Sequence, residues 1–143
     1  MANTSKHLAA MIETLSAEHR DLLPQLAKLA DEVTAPPEAL KAAFRQMTAK
    51  LGLPLDEHIV NEDHELFPAY ASAGGDPEVL AHFSQEHREI LSLRNRLVEA
   101  IENDADIGEI RSLIEEFTEL LTAHMNREDE MLFPDMREAF SDH

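Results

Sequence analysis

The sequence predicts an all-α protein, an up-down-up-down antiparallel four-helix bundle with a pseudo-two-fold internal repeat. Three observations lead there. Apolar residues recur at three- and four-residue steps in four separate stretches, the period of one helix face. Only 4 glycines occur in 143 residues, too few for a turn-rich β fold. The connections between the stretches are short, as between antiparallel neighbours.

The first helix, about residues 5–33, carries Leu8, Ile12, Leu15, Leu22, Leu26 and Leu29 on one stripe. Pro36 and Pro37 open the second, about 37–71, since proline suits a first helical turn. Its stripe runs through Leu40, Phe44, Met47, Leu51 and Leu55. Gly52 and Pro54 interrupt it, and a kink is expected there rather than a stop. Gly74 and Gly75 end that helix; Asp76 can cap the third, about 76–103, and Pro77 can open it. Asn103 to Asp106 form the last connection, followed by a fourth stripe at Ile110, Leu113, Phe117 and Leu120 in a helix over about 107–139.

The two halves of the chain resemble each other. EHRD at residues 18–21 matches EHRE at 86–89, and HIVNEDHELFP from His58 to Pro68 matches HMNREDEMLFP from His124 to Pro134. One helical hairpin thus occurs twice, and an approximate two-fold axis would bring equivalent positions together at the centre.

Composition excludes several functions. A single domain, 1–143, is the expected size for one core, and 43% hydrophobic with 29% charged residues reads as globular. With 29 acidic against 12 basic residues the formal charge is −17, so nucleic acid and anionic membrane surfaces are repelled. The absence of cysteine removes disulfides, thiolate nucleophiles, iron-sulfur clusters and thiolate zinc sites. Any metal must sit on His, Asp or Glu. No stretch reads as a signal peptide or a membrane span, which places the protein in the cytoplasm.

The chemistry-bearing residues lie on the apolar stripes. His19 follows Leu15 by four residues, His58 follows Leu55 by three, His87 follows Phe83 by four and His124 follows Leu120 by four, so all four point inward. Glu62 and Glu128 each follow a histidine by four residues and stack on its helix face. A single histidine on an apolar face is ordinary core packing; four at matched positions with two carboxylates are not. Burying two ionised glutamates without a cation costs several kcal/mol each by effective desolvation, and no Lys or Arg shares their stripe. A metal centre removes that cost. Two octahedral ions offer about twelve positions; four imidazoles, two bridging carboxylates and an oxo or hydroxo bridge fill about ten. Imidazole and carboxylate with open positions suit redox-active iron, with manganese or another divalent metal less favoured, whereas structural zinc is normally closed and four-coordinate.

The order of His19, His58 with Glu62 and Leu66-Phe67-Pro68, His87, then His124 with Glu128 and Leu132-Phe133-Pro134 resembles the hemerythrin-like, or HHE cation-binding, family along essentially the whole chain. The resemblance implies a non-heme diiron centre with His19, His58, His87 and His124 as terminal ligands and Glu62 and Glu128 as bridges. It departs from the oxygen-carrying hemerythrins in two places. Their fifth ligand histidine, one turn before the third-helix histidine, is replaced by Phe83, and their last carboxylate, an aspartate five residues after its histidine, is replaced by Glu128 after four. The missing imidazole should leave both ions accessible and favours reactive chemistry over plain oxygen carriage.

Three functions follow from that resemblance. One is binding of a small oxidant or gas such as oxygen, nitric oxide or peroxide. The second is an oxidoreductase turning over peroxide or nitric oxide, with an unidentified redox partner. The third is an iron or redox sensor acting through a partner protein, which the absence of an effector segment disfavours. His7, His64, His82 and His143 are expected at the surface, Phe44, Phe67, Phe83, Phe117 and Phe133 in the core, and Tyr70 at a helix end. Asp129 and Glu130 are expected on a solvated face. Glu18 and Glu86 adjoin ligand histidines and could orient them, but adjacent helical residues face about 100° apart, which weighs against it.

Overall fold

The computed structural model describes residues 2–141, with side chains for 5–50 and 55–141. They form six α-helices and two five-residue π-turns, with no strand among the described residues. In chain order these are α1 (Ala2–Asp31), α2 (Pro37–Asn61), π1 (Glu62–Leu66), α3 (Phe67–Ser72), α4 (Pro77–Glu102), α5 (Ile107–Arg127), π2 (Glu128–Leu132) and α6 (Phe133–Ser141). The residues at each π junction keep right-handed helical backbone, so α2–π1–α3 and α5–π2–α6 are unbroken rods. The plain second and fourth helices expected from the period therefore each carry a widened turn.

The ends follow the local chemistry. Pro37 occupies the first turn of α2, and the helix runs through 51–54 without a stop; the side chains of Leu51, Gly52 and Pro54, where a kink was expected, lie outside those described. Gly74 has φ +104°, the left-handed backbone that closes α3 at little cost to glycine. Its neighbour Gly75 donates to the Tyr70 carbonyl (2.8 Å) and lies against the Tyr70 ring, where a Cβ would collide. The Tyr70 carbonyl thus takes part in closing the helix end. Asp76 caps α4 by accepting from Glu78 N (2.9 Å), and Asp106 caps α5 by accepting from Gly108 N (3.1 Å). α1 ends at Asp31 rather than 33, because Glu32 and Val33 close a turn ahead of the Pro36-Pro37 pair. Pro24 lies inside α1, where it removes one ladder hydrogen bond.

Two apolar clusters fill the interior. The larger joins Leu22, Leu26, Leu40, Phe44, Ile90, Leu97, Ile114 and Phe117 with their neighbours. The smaller joins Ile12, Leu15, Leu66, Phe67, Phe83, Phe133, Met136 and Phe140. Along α1 and α4 the stripe passes from one cluster to the other at His19 and His87, between Leu15 and Leu22 and between Phe83 and Ile90. The imidazoles therefore form a polar layer between two apolar ones. No helix among the described residues is long and apolar enough to cross a membrane.

Candidate metal centre

Helical spacing delivers six donors to this layer. His19, His58, His87, His124, Glu62 and Glu128 are all buried, and both glutamates are wholly inaccessible. Glu62 Oε1 lies 3.3 Å from His58 Nε2 and 3.2 Å from His87 Nε2. Glu128 Oε1 lies 3.3 Å from His19 Nε2 and 3.5 Å from His124 Nε2. Each carboxylate thus sits between two imidazoles from different helices, and His19 and His58 approach within 3.1 Å through Nε2. Two overlapping sets of donor atoms, each mutually within 4.8 Å, could hold a metal ion: Glu62, His87, His124 and Glu128, and His19, His58 and Glu128. All six predicted donors are brought together.

The outer nitrogens are also occupied. His19 Nδ1 donates to Asp129 (3.0 Å), His87 Nδ1 to Asp63 (3.0 Å), His58 Nδ1 to Glu18 (3.2 Å) and His124 Nδ1 to Glu86 (2.9 Å). Each imidazole is thereby turned with Nε2 toward the centre, as in metal sites where a carboxylate fixes the tautomer and orientation of a ligating histidine. The pattern obeys the two-fold repeat. Ser16 donates to Asp129 (3.4 Å) and its counterpart Ser84 to Asp63 (2.7 Å). Phe133 stacks on His19 with centroids 5.6 Å apart, and Phe67 stacks on His87 at 5.8 Å.

Four of these acceptors correct the sequence reading. Asp129, expected on a solvated face, is half-buried against His19, and Asp63 was not singled out. The cause is the π-turn. Phe67 N bonds to Glu62 O and Phe133 N to Glu128 O, five residues back, which fits an extra residue into the turn. Glu62 and Asp63 consequently reach the two ring nitrogens of the same histidine, His87, as Glu128 and Asp129 do for His19. Glu18 and Glu86, weighed against because they adjoin His19 and His87, do not act on those residues. Each reaches across to the next helix of its own half, to His58 and His124. The repeated Glu-His and Glu-Asp pairs in both halves were the available signal.

The symmetry breaks at one cation. Arg127 donates to Glu86 and lies over the Phe83 ring, 5.9 Å from its centroid; Asn61 occupies the equivalent place in the first half. Phe83 is buried and packs edge-on against His124, with ring centroids 5.3 Å apart. His82 is exposed, 3.6 Å from Glu86, and His7 and His64 are exposed as expected; His143 lies outside the described residues.

Burial pushes Glu62 up, but the neighbouring Glu128, His58 and His87 outweigh it and hold the carboxyl well below its usual range. Burial pushes His58 down, but Glu62 and Glu18 outweigh it and raise the group to about 9. His87 is likewise depressed by burial yet raised to about 9 by Asp63 and Glu62. Burial and the neighbouring His87 lower His124 to about 4, and burial with His58 lowers His19. Burial, reinforced by the Glu62 charge, holds Glu128 well above the usual carboxylate range. Both oxygens of Glu62 and of Glu128, with Nε2 of His87 and His124, have no hydrogen-bond partner although buried. Buried polar atoms are rarely left so, and a bound cation satisfies all of them.

A cavity of about 240 Å³ adjoins the four imidazoles and Glu62. Among protein-family models, the hemerythrin HHE cation binding domain matches residues 8–142. No curated protein and no solved structure matches the chain.

Proposed function

The chain belongs to the hemerythrin HHE cation-binding family, and from that premise we propose that it is a non-heme diiron protein that binds or reacts with a small oxidant or gas. In this reading the four rods pack antiparallel in up-down-up-down order. His19, His58, His87 and His124 would serve as terminal ligands of the two ions, and Glu62 and Glu128 as the carboxylates they would share. The observation that carries the reading is the pair of wholly buried glutamates, each between two imidazole nitrogens and with both oxygens unpartnered. Two divalent cations would give those oxygens, and Nε2 of His87 and His124, the partners that the chain itself does not supply.

Bound iron would supply Lewis acidity and electrons. The protein's own residues do the rest. Asp63, Asp129, Glu18 and Glu86 hold the Nδ1 protons and thereby present Nε2 as the lone-pair donor. Phe67 and Phe133 fix two of the rings by stacking. Phe83 and the apolar layers on either side keep bulk water from the centre.

Anaerobic reconstitution with ferrous iron, followed by spectra on exposure to oxygen, nitric oxide and peroxide, tests the proposal. Changes in the iron absorption that reverse on removing the gas show binding; repeated turnover with an added reductant shows reaction. A reconstituted protein whose spectra respond to none of the three would overturn it.

A further inference from the structure

The six donors pair off between the halves of the chain, and so do the carboxylates on the outer nitrogens of the four histidines. What surrounds those carboxylates does not pair off. Asp129 and Asp63 are counterparts, and each accepts from a serine hydroxyl, of Ser16 and Ser84. Glu18 and Glu86 are counterparts too, but the Glu18 side chain is 37% exposed, whereas that of Glu86 is 8% exposed and bonded to Arg127. Of the lysine and arginine ion pairs among the described residues, this one alone reaches a carboxylate that holds a donor histidine.

Glu86 divides its two oxygens between these partners. Oε1 accepts from His124 Nδ1 (2.9 Å), and Oε2 accepts from the Arg127 guanidinium. A carboxylate behind a ligating imidazole makes the ring a more basic donor. A guanidinium keeps its charge at every pH the protein meets, and beside a buried carboxylate water screens it little. It therefore cancels much of what Glu86 would lend to His124. Water at Glu18 screens that carboxylate without neutralising it, and Asn61, which stands where Arg127 does in the repeat, carries no charge. His58 thus receives the fuller donation.

We propose that Arg127 is a positioning residue that sets the two metal positions apart: by neutralising Glu86 it weakens His124 as a donor, so the ion on His124 stays ferrous at potentials where the ion on His58 is oxidised. A ferric ion gains more than a ferrous one from a strong donor, which gives the direction. His124 and His58 fall in different donor sets, the first with His87 and the second with His19. The inference rests on the diiron reading and adds to it an order of oxidation.

Iron content is measured first, and the iron-loaded protein is then followed by electron paramagnetic resonance through a reductive titration, which gives the separation of the two one-electron potentials. Arg127→Gln should narrow that separation by about tenfold in the equilibrium constant, the low end for an altered outer partner, or about 59 mV for a one-electron step. Arg127→Lys keeps the charge but not the planar contact with the Phe83 ring, so it should keep the separation. Asn61→Arg places a cation on the Glu18 side and should narrow it as Arg127→Gln does; it decides the matter alone if the Arg127 variants do not hold two irons. Two irons per chain with the separation unchanged in Arg127→Gln, or lost equally in Arg127→Lys as a packing role requires, would overturn the inference and leave the diiron reading standing. A wild type that takes up fewer than two irons would overturn both.

Discussion

Glu128→Gln exchanges one buried carboxylate for a neutral group of the same shape. Glu128 is wholly inaccessible, lies 3.3 Å from His19 and 3.5 Å from His124, and has no hydrogen-bond partner on either oxygen. Two accounts of this residue give opposite results. As one half of a structural ion pair with those histidines, its loss would strand buried charge and cost about 3–5 kcal/mol. The protonation pattern argues otherwise: burial lowers both His19 and His124 toward their neutral forms and holds Glu128 well above the usual carboxylate range. The metal-free chain then carries a neutral acid here, and glutamine should change stability by less than about 1 kcal/mol, within the spread of innocuous substitutions. With metal the contrast appears. Ferrous iron at about a thousand times its dissociation constant stabilises the wild type by about 4 kcal/mol, or about 10–15 °C of thermal midpoint for a chain of this size. Glu128→Gln should lose most of that increment. Thermal unfolding by circular dichroism, with chelator and with ferrous iron, measures both arms. A chelated variant that melts far below the chelated wild type would refute the assignment of Glu128 to a cation.

Other expectations follow from the same geometry. His58 and His87 keep their protons up to about 9 in the metal-free protein, so metal must displace them: uptake at neutral pH should acidify an unbuffered solution, and apparent affinity should climb with pH until about 9. Asp63→Asn and Asp129→Asn, which release His87 and His19 from their carboxylates, should each weaken metal binding about 10–100-fold and to similar degrees, read by competition with a chromogenic chelator. Arg127→Gln leaves Glu86 without its cation beside His124, so the His124 pKa should rise from about 4 in a nuclear magnetic resonance titration of metal-free protein. Gly75→Ala drives a methyl into the Tyr70 ring and should cost about 1–3 kcal/mol in urea unfolding without altering metal content.

What could be read from the sequence was whatever periodicity records. The residues Leu8, Leu40 and Ile110 of the expected stripes are buried along helices, and the four histidines in step with apolar residues, with Glu62 and Glu128, do meet in the interior. The matching halves paired His19 with His87 and His58 with His124, and that pairing reappears in the Ser16 and Ser84 bonds and in the Phe133 and Phe67 stacks. The π-turns left no such mark. Moving one hydrogen bond from the fourth to the fifth residue back needs no distinctive side chain, so Asp63 and Asp129 looked like outward neighbours of Glu62 and Glu128. Glu18 was misjudged for a different reason: the 100° step separates it from His19 on its own helix, but its partner is His58 on the next. At the position of the absent fifth imidazole, the Phe83 ring packs between His124 and Arg127, a contact that periodicity alone does not announce.

Metal content after anaerobic loading with ferrous iron and removal of the excess, by elemental analysis against protein concentration, is the most direct test of the six-donor centre. The ligand set predicts about two irons per chain, falling to one or none in Glu62→Ala and Glu128→Ala proteins that remain helical. A wild type that retains no iron, or an iron content that neither substitution changes, would contradict it.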